Sequence, residues 1–264
     1  MSKIAFSLGP LHFYWYGLII AAAILAAFLI TLVHARRSGE PLAPIADLVL
    51  FGVPAGLAGA RFAYVMANWA LYWDNPVTVI CLWQGGLSIN GALFAFLLVL
   101  YLYSRQTGLS FVRLADLCAP GLAFAVSLGQ WASFFNQEAF GYPADRSWGI
   151  YIDFALRPEG YEQFDFFQPV FLYESAWNLL IFLFLAALAF WQRKTGRLRA
   201  GSIFASAILL FAAGHSVFAG LRLDNETIQG IFLTRLVSGF LAAAALVFLI
   251  RPTGGRAGEG SPDQ

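Results

Sequence analysis

With 264 residues, 59% of them hydrophobic and only 12% charged, the chain carries about half of the roughly 25% charged residues found in soluble domains. A large soluble core does not explain the shortfall, because the surface around it would still need charge; lipid in place of water does. The net charge of +1 gives no reason to expect nucleic acid or a strongly acidic partner.

From the N-terminus, Lys3 precedes a short Ser-Leu-Gly-Pro turn, and the apolar run beyond it is too long for the h-region of a cleaved signal. It is read as a retained helix. Seven stretches reach or approach the roughly 20 apolar residues of a spanning helix: 13–33, 44–67, 88–104, 114–135, 169–191, 201–221 and 229–250. The third is short, and Gly121, Gly129 and Gln130 soften the boundaries of the fourth. Strand periodicity is absent, which argues against a membrane barrel. The predicted fold class is all-α, a polytopic membrane helix bundle of about seven transmembrane helices. It forms one domain over residues 1–250, followed by a tail, 251–264, whose Gly, Pro and charge predict disorder.

Basic residues gather after the first, third, fifth and seventh runs: Arg36 and Arg37; Arg105 and Arg113; Arg193, Lys194, Arg197 and Arg199; Arg251 and Arg256. The other side has Lys3, Arg146 and Arg157 with the acidic Glu159, Glu162 and Asp165. The positive-inside rule then predicts an outer N-terminus and a cytoplasmic C-terminus. Two long outer segments, 68–87 and 136–168, are rich in aromatic residues (Trp69, Tyr72, Trp73 and Trp83; Tyr142, Trp148, Tyr151 and Tyr161). Such rings favour the headgroup layer, so both segments are placed on the outer leaflet, beside a lipid-handling site.

Polar groups within spans face an interior, a partner or an aqueous cavity. Arg61, Asn90, Gln130, Glu174 and Arg235 fall in the second, third, fourth, fifth and seventh runs; Glu138 follows the fourth, and Arg222 and Asp224 follow the sixth. Singly, each is as readily a structural pair as a functional group. As a set, they gather arginines and glutamates at one depth near outer helix ends. Arginine matches phosphate in a bidentate way, which points to an anionic phospholipid headgroup. Cys81 and Cys118 read as apolar fillers, and His12, His34 and His215 show no ligand spacing, so no metal and no cofactor are expected.

Several stretches, in order, resemble one known family. They are Phe6-Ser-Leu-Gly-Pro-Leu, Trp15-Tyr16-Gly17-Leu18, Gly59-Ala60-Arg61-Phe62-Ala63-Tyr64-Val65, Trp83-Gln84-Gly85-Gly86-Leu87-Ser88-Ile89-Asn90-Gly91, Gly129 to Glu138 ending at Gly141, Gln168-Pro169 to Glu174-Ser175, and Leu221-Arg222-Leu223-Asp224. Together they resemble the phosphatidylglycerol:prolipoprotein diacylglyceryl transferases of bacteria, over nearly the whole chain. The resemblance implies a multi-pass enzyme of the bacterial cytoplasmic (inner) membrane. It would move a diacylglyceryl group from phosphatidylglycerol, or another anionic phospholipid, to a cysteine thiol near a prolipoprotein signal peptide. It implies catalytic roles for Arg222, Tyr16, Glu138 and Asn90, and substrate binding by Asn136, Gln130, Gly141, Arg61, Tyr173 and Glu174. Arg61 keeps two readings, headgroup contact or an ion pair with a glutamate.

The chain departs from the family pattern at chemically active positions. Asn90 stands where the pattern has histidine, Gln130 where it has arginine, Ala132-Ser133 for Gly-Asn, Gln168 for histidine, and His215-Ser216 with Ala219 for Arg-Phe and Glu. Asparagine at 90 takes up no proton near neutral pH, and Gln130 neutralises no phosphate. His215, about two helical turns before Arg222 if the helix continues, reads first as a packing residue and second as a substitute base. Two readings follow: a working transferase with altered catalytic groups, or a degenerate paralogue acting as a phospholipid-binding membrane subunit or on another acceptor. A transporter is disfavoured, since no inverted repeat is evident. The oligomeric state is left open.

Overall fold

The structure is a computed structural model that describes residues 3–9, 11–73, 75–80, 86–223 and 228–250, with Leu11, Leu71, Ile89 and 228–234 described by their backbone alone. Cys81, Trp83, Gln84, Gly85, Asp224 and the 251–264 tail lie outside the described residues.

Seven α-helices make up the bundle: α1 (Trp15–Arg37), α2 (Ala43–Ala67), α3 (Ile89–Thr107), α4 (Phe111–Asn136), α5 (Val170–Thr195), α6 (Ser202–Ala219) and α7 (Ile228–Ile250). Each matches one of the seven apolar runs. By length and composition, α1, α2, α4, α5 and α6 are suited to crossing a membrane, and α7 contains a shorter apolar helix, Arg235–Ile250. The helices α1, α3 and α5 outrun the apolar stretches through Arg37, Arg105 and Arg193, because backbone hydrogen bonding continues past the last apolar side chain. Basic residues in these last turns also complement the helix dipole.

α4 is the central helix, packed against α1 and α5 along its length and against α6 and α3 more locally. Its buried face joins two cores. Leu114, Ala115 and Cys118 meet Leu48 and Leu100, and Ala119 meets Ile181, Leu185, Ala189 and Ile203. The burial of Cys118 agrees with its reading as an apolar filler.

Small residues set the closest crossings, as expected where helices pack without water to drive them together. A Cβ on Gly121 would lie 2.6 Å from the carbonyl oxygen of Ala27, so α1 and α4 approach closely there. A Cβ on Gly59 would lie 2.8 Å from the carbonyl oxygen of Gly91 and would collide with Ala95, which locks α2 to α3 and fixes the turn carrying Asn90. Between α4 and α5 the seam is polar: Ser127 Oγ donates to the Ser175 carbonyl at 2.8 Å, and Ser175 Oγ donates back to the Ser127 carbonyl at 2.9 Å.

Two short strand pairs, which periodicity did not reveal, complete one end of the bundle. β1 (Ile4–Leu8) pairs antiparallel with β2 (Leu11–Tyr14) around the Gly9 turn, and Phe6 stacks on Phe13 at 4.6 Å. β3 (Ile150–Tyr151) pairs with β4 (Phe166–Phe167) inside the long 136–168 segment. That segment folds as a cap with its own core of Phe140, Ile152 and Phe167. Gln137 clamps it to α4: its amide nitrogen donates to Asp153 Oδ2 at 3.0 Å and its amide oxygen accepts the Asp153 N–H at 2.7 Å.

Candidate active site

The cap end of the bundle holds a cavity of about 50 Å³ between α4, α5 and the end of α6, lined by Gln130, Glu174, Asn178, His215 and Arg222 with apolar walls that include Val126 and Phe218. Three sequence-predicted residues, Gln130, Glu174 and Arg222, therefore meet at one place. Glu174 is 7% exposed, and its Oε1 lies 4.0 Å from Arg222 Nη1. At that separation the pair attracts without the short, charge-assisted hydrogen bond of a closed ion pair.

Arg222 is held from both sides. Leu221 presents its carbonyl to Gly141, where a Cβ would stand only 2.7 Å away, and the Leu223 N–H donates to the Phe140 carbonyl at 3.0 Å. Gly141 thus matters by its missing side chain. It lets the chain after α6 lie against the cap and aims Arg222 at the cavity. α6 ends at Ala219, so His215 and Arg222 are not on one continuous helix, yet both line the cavity.

Glu138 stands at the cap side of α4. Asn136 Nδ2 donates to its Oε1 at 3.3 Å, and its charge acts on the Tyr16 hydroxyl of α1 and on Tyr64 of α2. The backbone around it is unusual. Gln137 and Ala139 both adopt left-handed φ, at 59° and 55°, a region that costs non-glycine residues about 1–2 kcal/mol. The fold sustains this because Ala139 is fully buried and its carbonyl accepts the Phe171 N–H at 2.8 Å. Such strain concentrates at functional sites.

Asn90 extends from the start of α3 toward α6, with Nδ2 3.4 Å from Nε2 of His215. The remaining two predicted residues sit elsewhere. Tyr173 receives the Trp148 indole N–H on its hydroxyl at 2.6 Å and stacks with that ring, tying α5 to the cap. Arg61 donates from Nε to the Val79 carbonyl at 2.7 Å, from Nη2 to Thr78 at 2.7 Å and from Nη1 to Gly86 at 3.1 Å, and lies over the Tyr72 ring. Those contacts tie Thr78, Val79 and Gly86 to α2, and Arg61 is not among the residues that line the cavity.

Sequence reasoning missed Asn178. It is 5% exposed and lines the cavity one helical turn from Glu174, and its Oδ1 has no hydrogen-bond partner among the described residues. A buried acceptor left in this state costs about 1–3 kcal/mol, so it favours a ligand that brings a donor. The signal was present as the i, i+4 spacing from Glu174, but nothing in that spacing reveals an unused oxygen.

A family model described as prolipoprotein diacylglyceryl transferase matches residues 3–251. The chain belongs to this family. Among curated relatives, the phosphatidylglycerol–prolipoprotein diacylglyceryl transferase of Parasynechococcus marenigrum is 38% identical over 84% of this chain and 80% of its own. The protein of the same name from Trichormus variabilis is 34% identical over 88% and 82%. That of Bacillus cereus is 33% identical over 95% and 92%. Family membership thus covers both the bundle and the cap, and every residue lining the cavity lies inside the match.

Proposed function

We propose that the protein transfers the diacylglyceryl group of phosphatidylglycerol to the lipobox cysteine thiol of prolipoproteins, releasing glycerol phosphate. The observation that carries this reading is the meeting of Arg222, Glu174 and Gln130 around one cavity, within a chain matched by the family from residue 3 to 251. In this reading Arg222 receives the departing phosphate as its charge develops, the situation in which a preorganised cation stabilises a transition state most. Glu174 holds Arg222 in place from 4.0 Å, and Asn178 Oδ1 accepts a hydroxyl of the glycerol headgroup. Gly141 keeps Arg222 aimed inward, while Tyr16, Asn136 and Glu138 line the approach of the lipid. All seven helices cross the cytoplasmic membrane of a bacterium, with the N-terminus and the cap outside and the arginine-rich end inside, as the positive-inside rule requires. Lipid and signal peptide enter sideways from the bilayer.

The test uses purified protein in phosphatidylglycerol vesicles with a lipobox peptide, following glycerol phosphate release. Release is expected to require the peptide cysteine and to fall by about 10²–10³ in Arg222→Ala, the usual cost of removing one transition-state donor. A second reading, a phospholipid-binding subunit without transfer chemistry, is favoured by the neutral amides of Asn90 and Gln130. It predicts lipid binding with no release.

A further inference from the structure

Resting on the transferase reading, a thiol acceptor requires a proton acceptor, since the thiolate and not the thiol is the nucleophile. The chain has three histidines. His12 lies in the β1–β2 hairpin, hydrogen-bonded to Ser7 Oγ at 2.8 Å. His34 is buried near the other end of α1, with Nδ1 3.2 Å from the Leu117 carbonyl. Only His215 lines the cavity that holds Arg222.

We infer that His215 is the general base of the reaction, supplied from α6 across the bundle and oriented by Asn90. Three features support the assignment. Asn90 Nδ2 can only donate, so its approach to Nε2 at 3.4 Å selects the imidazole that carries its proton on Nδ1 and turns the Nε2 lone pair toward α3. The helix pairs that pack along their lengths are α1–α4, α2–α3, α4–α5, α5–α6 and α6–α7. The Asn90–His215 contact instead bridges α3 and α6, which are not among those pairs. Finally, His215 and Arg222 line the same cavity, which brings base and phosphate clamp to one site.

The step balances. The thiol displaces the long Asn90 amide contact from His215 Nε2 and passes its proton to that lone pair, and the sulfur electron pair forms a bond to the glyceryl carbon that bears the phosphate ester. The carbon–oxygen bond breaks with its pair going to oxygen, and glycerol phosphate leaves against Arg222. The proton then passes from His215 to the departing phosphate. The groups facing His215 are Asn90 from α3, Gln130 from α4, Glu174 from α5 and Arg222 beyond α6, with Arg235 of α7 against Gly220.

The experiment measures peptide-dependent glycerol phosphate release in phosphatidylglycerol vesicles, as a function of pH, for the wild type, His215→Gln and the double variant Asn90→His with His215→Gln. The wild-type rate is expected to rise with pH through one ionisation. His215→Gln should lose about 10²–10⁴ in rate together with that ionisation, while still binding phosphatidylglycerol. The double variant, with a ring supplied from the α3 side of the same contact, should recover at least a tenth of the wild-type rate. A flat wild-type profile from about pH 5 to 9, the range in which histidine titrates, overturns the inference. So does a His215→Gln rate within threefold of wild type, or a loss that the second histidine does not repair. The flat-profile test stands even if the variants misfold. A wild type that releases no glycerol phosphate overturns the transferase reading itself, and the base with it, whereas release unaffected by His215→Gln overturns the base alone.

Discussion

The arginine-rich end of the bundle and the cavity at its cap end use polar groups differently. At the arginine-rich end they are matched at hydrogen-bond distance. Asp116 of α4, 6% exposed, accepts the N–H of Gly201 at 2.6 Å and of Phe204 at 2.7 Å, so a side chain from one helix caps the start of another. Arg113 meets Glu40 at 2.8 Å, and His34 meets the Leu117 carbonyl. Around the cavity the distances are longer: 4.0 Å between Arg222 Nη1 and Glu174 Oε1 and 3.4 Å for Asn90 and His215, with Asn178 Oδ1 without a hydrogen-bond partner among the described residues. Matched buried groups stabilise, and loosely matched ones around a cavity hold interaction energy that a ligand can realise. Polarity alone does not mark a site within the membrane; the distance to the partner does.

This contrast breaks first at Arg222. Its replacement by alanine is expected to remove about 10²–10³ of the rate per folded molecule. An unchanged rate per folded molecule would place Arg222 with the structural groups instead. Asp116→Ala is the converse. It leaves the N–H groups of Gly201 and Phe204 without their acceptor, at a cost of about 2–4 kcal/mol for charge-assisted bonds. Thermal unfolding in detergent should show the loss, with the rate per folded molecule unchanged. Gly141→Ala falls between the two classes. The added methyl meets the Leu221 carbonyl, and overpacking of this kind costs about 1–3 kcal/mol. Because the push falls on the residue before Arg222, release should drop about tenfold or more, a sensitivity to misplacement usual for positioned groups. A Gly141→Ala protein that unfolds earlier yet turns over normally would show that Gly141 serves the cap and not the site.

The helices were legible because each carries an apolar run, and five of them are by length and composition suited to crossing a membrane. The turn at Gly9 was legible from Ser-Leu-Gly-Pro. The cap was not, because β3 and β4 are two residues each, too short to show a period. Arg222, Glu174 and Gln130, which line one cavity, were singled out through the motifs around them, but Asp116 gives no local sign of its partners, which are 85 and 88 residues away. The same holds for His215, whose meeting with Asn90 spans 125 residues. Arg61, read from the sequence as a headgroup contact or the partner of a glutamate, donates to the carbonyls of Thr78, Val79 and Gly86, contacts that an arginine within an apolar run does not reveal.

The smallest expected effect tests whether strain belongs to the cap end. Ala132 and Ala139 are both fully buried, seven positions apart, one inside α4 and one just beyond it with φ of 55°. In a helix, replacing alanine with glycine costs about 1 kcal/mol through backbone entropy, and a buried methyl adds about 0.8 kcal/mol. Ala132→Gly should therefore lower the unfolding midpoint clearly. At Ala139 the same entropy and methyl are lost, but glycine recovers the roughly 1–2 kcal/mol of left-handed strain, so the midpoint should move very little. The freed backbone no longer holds Glu138 as firmly between two constrained residues, and a severalfold fall in release should accompany the unchanged stability. Equal destabilisation by the two substitutions would mean that no strain is stored beside Glu138. Equal stability with undiminished release would mean that the strain is present but does not position the carboxylate.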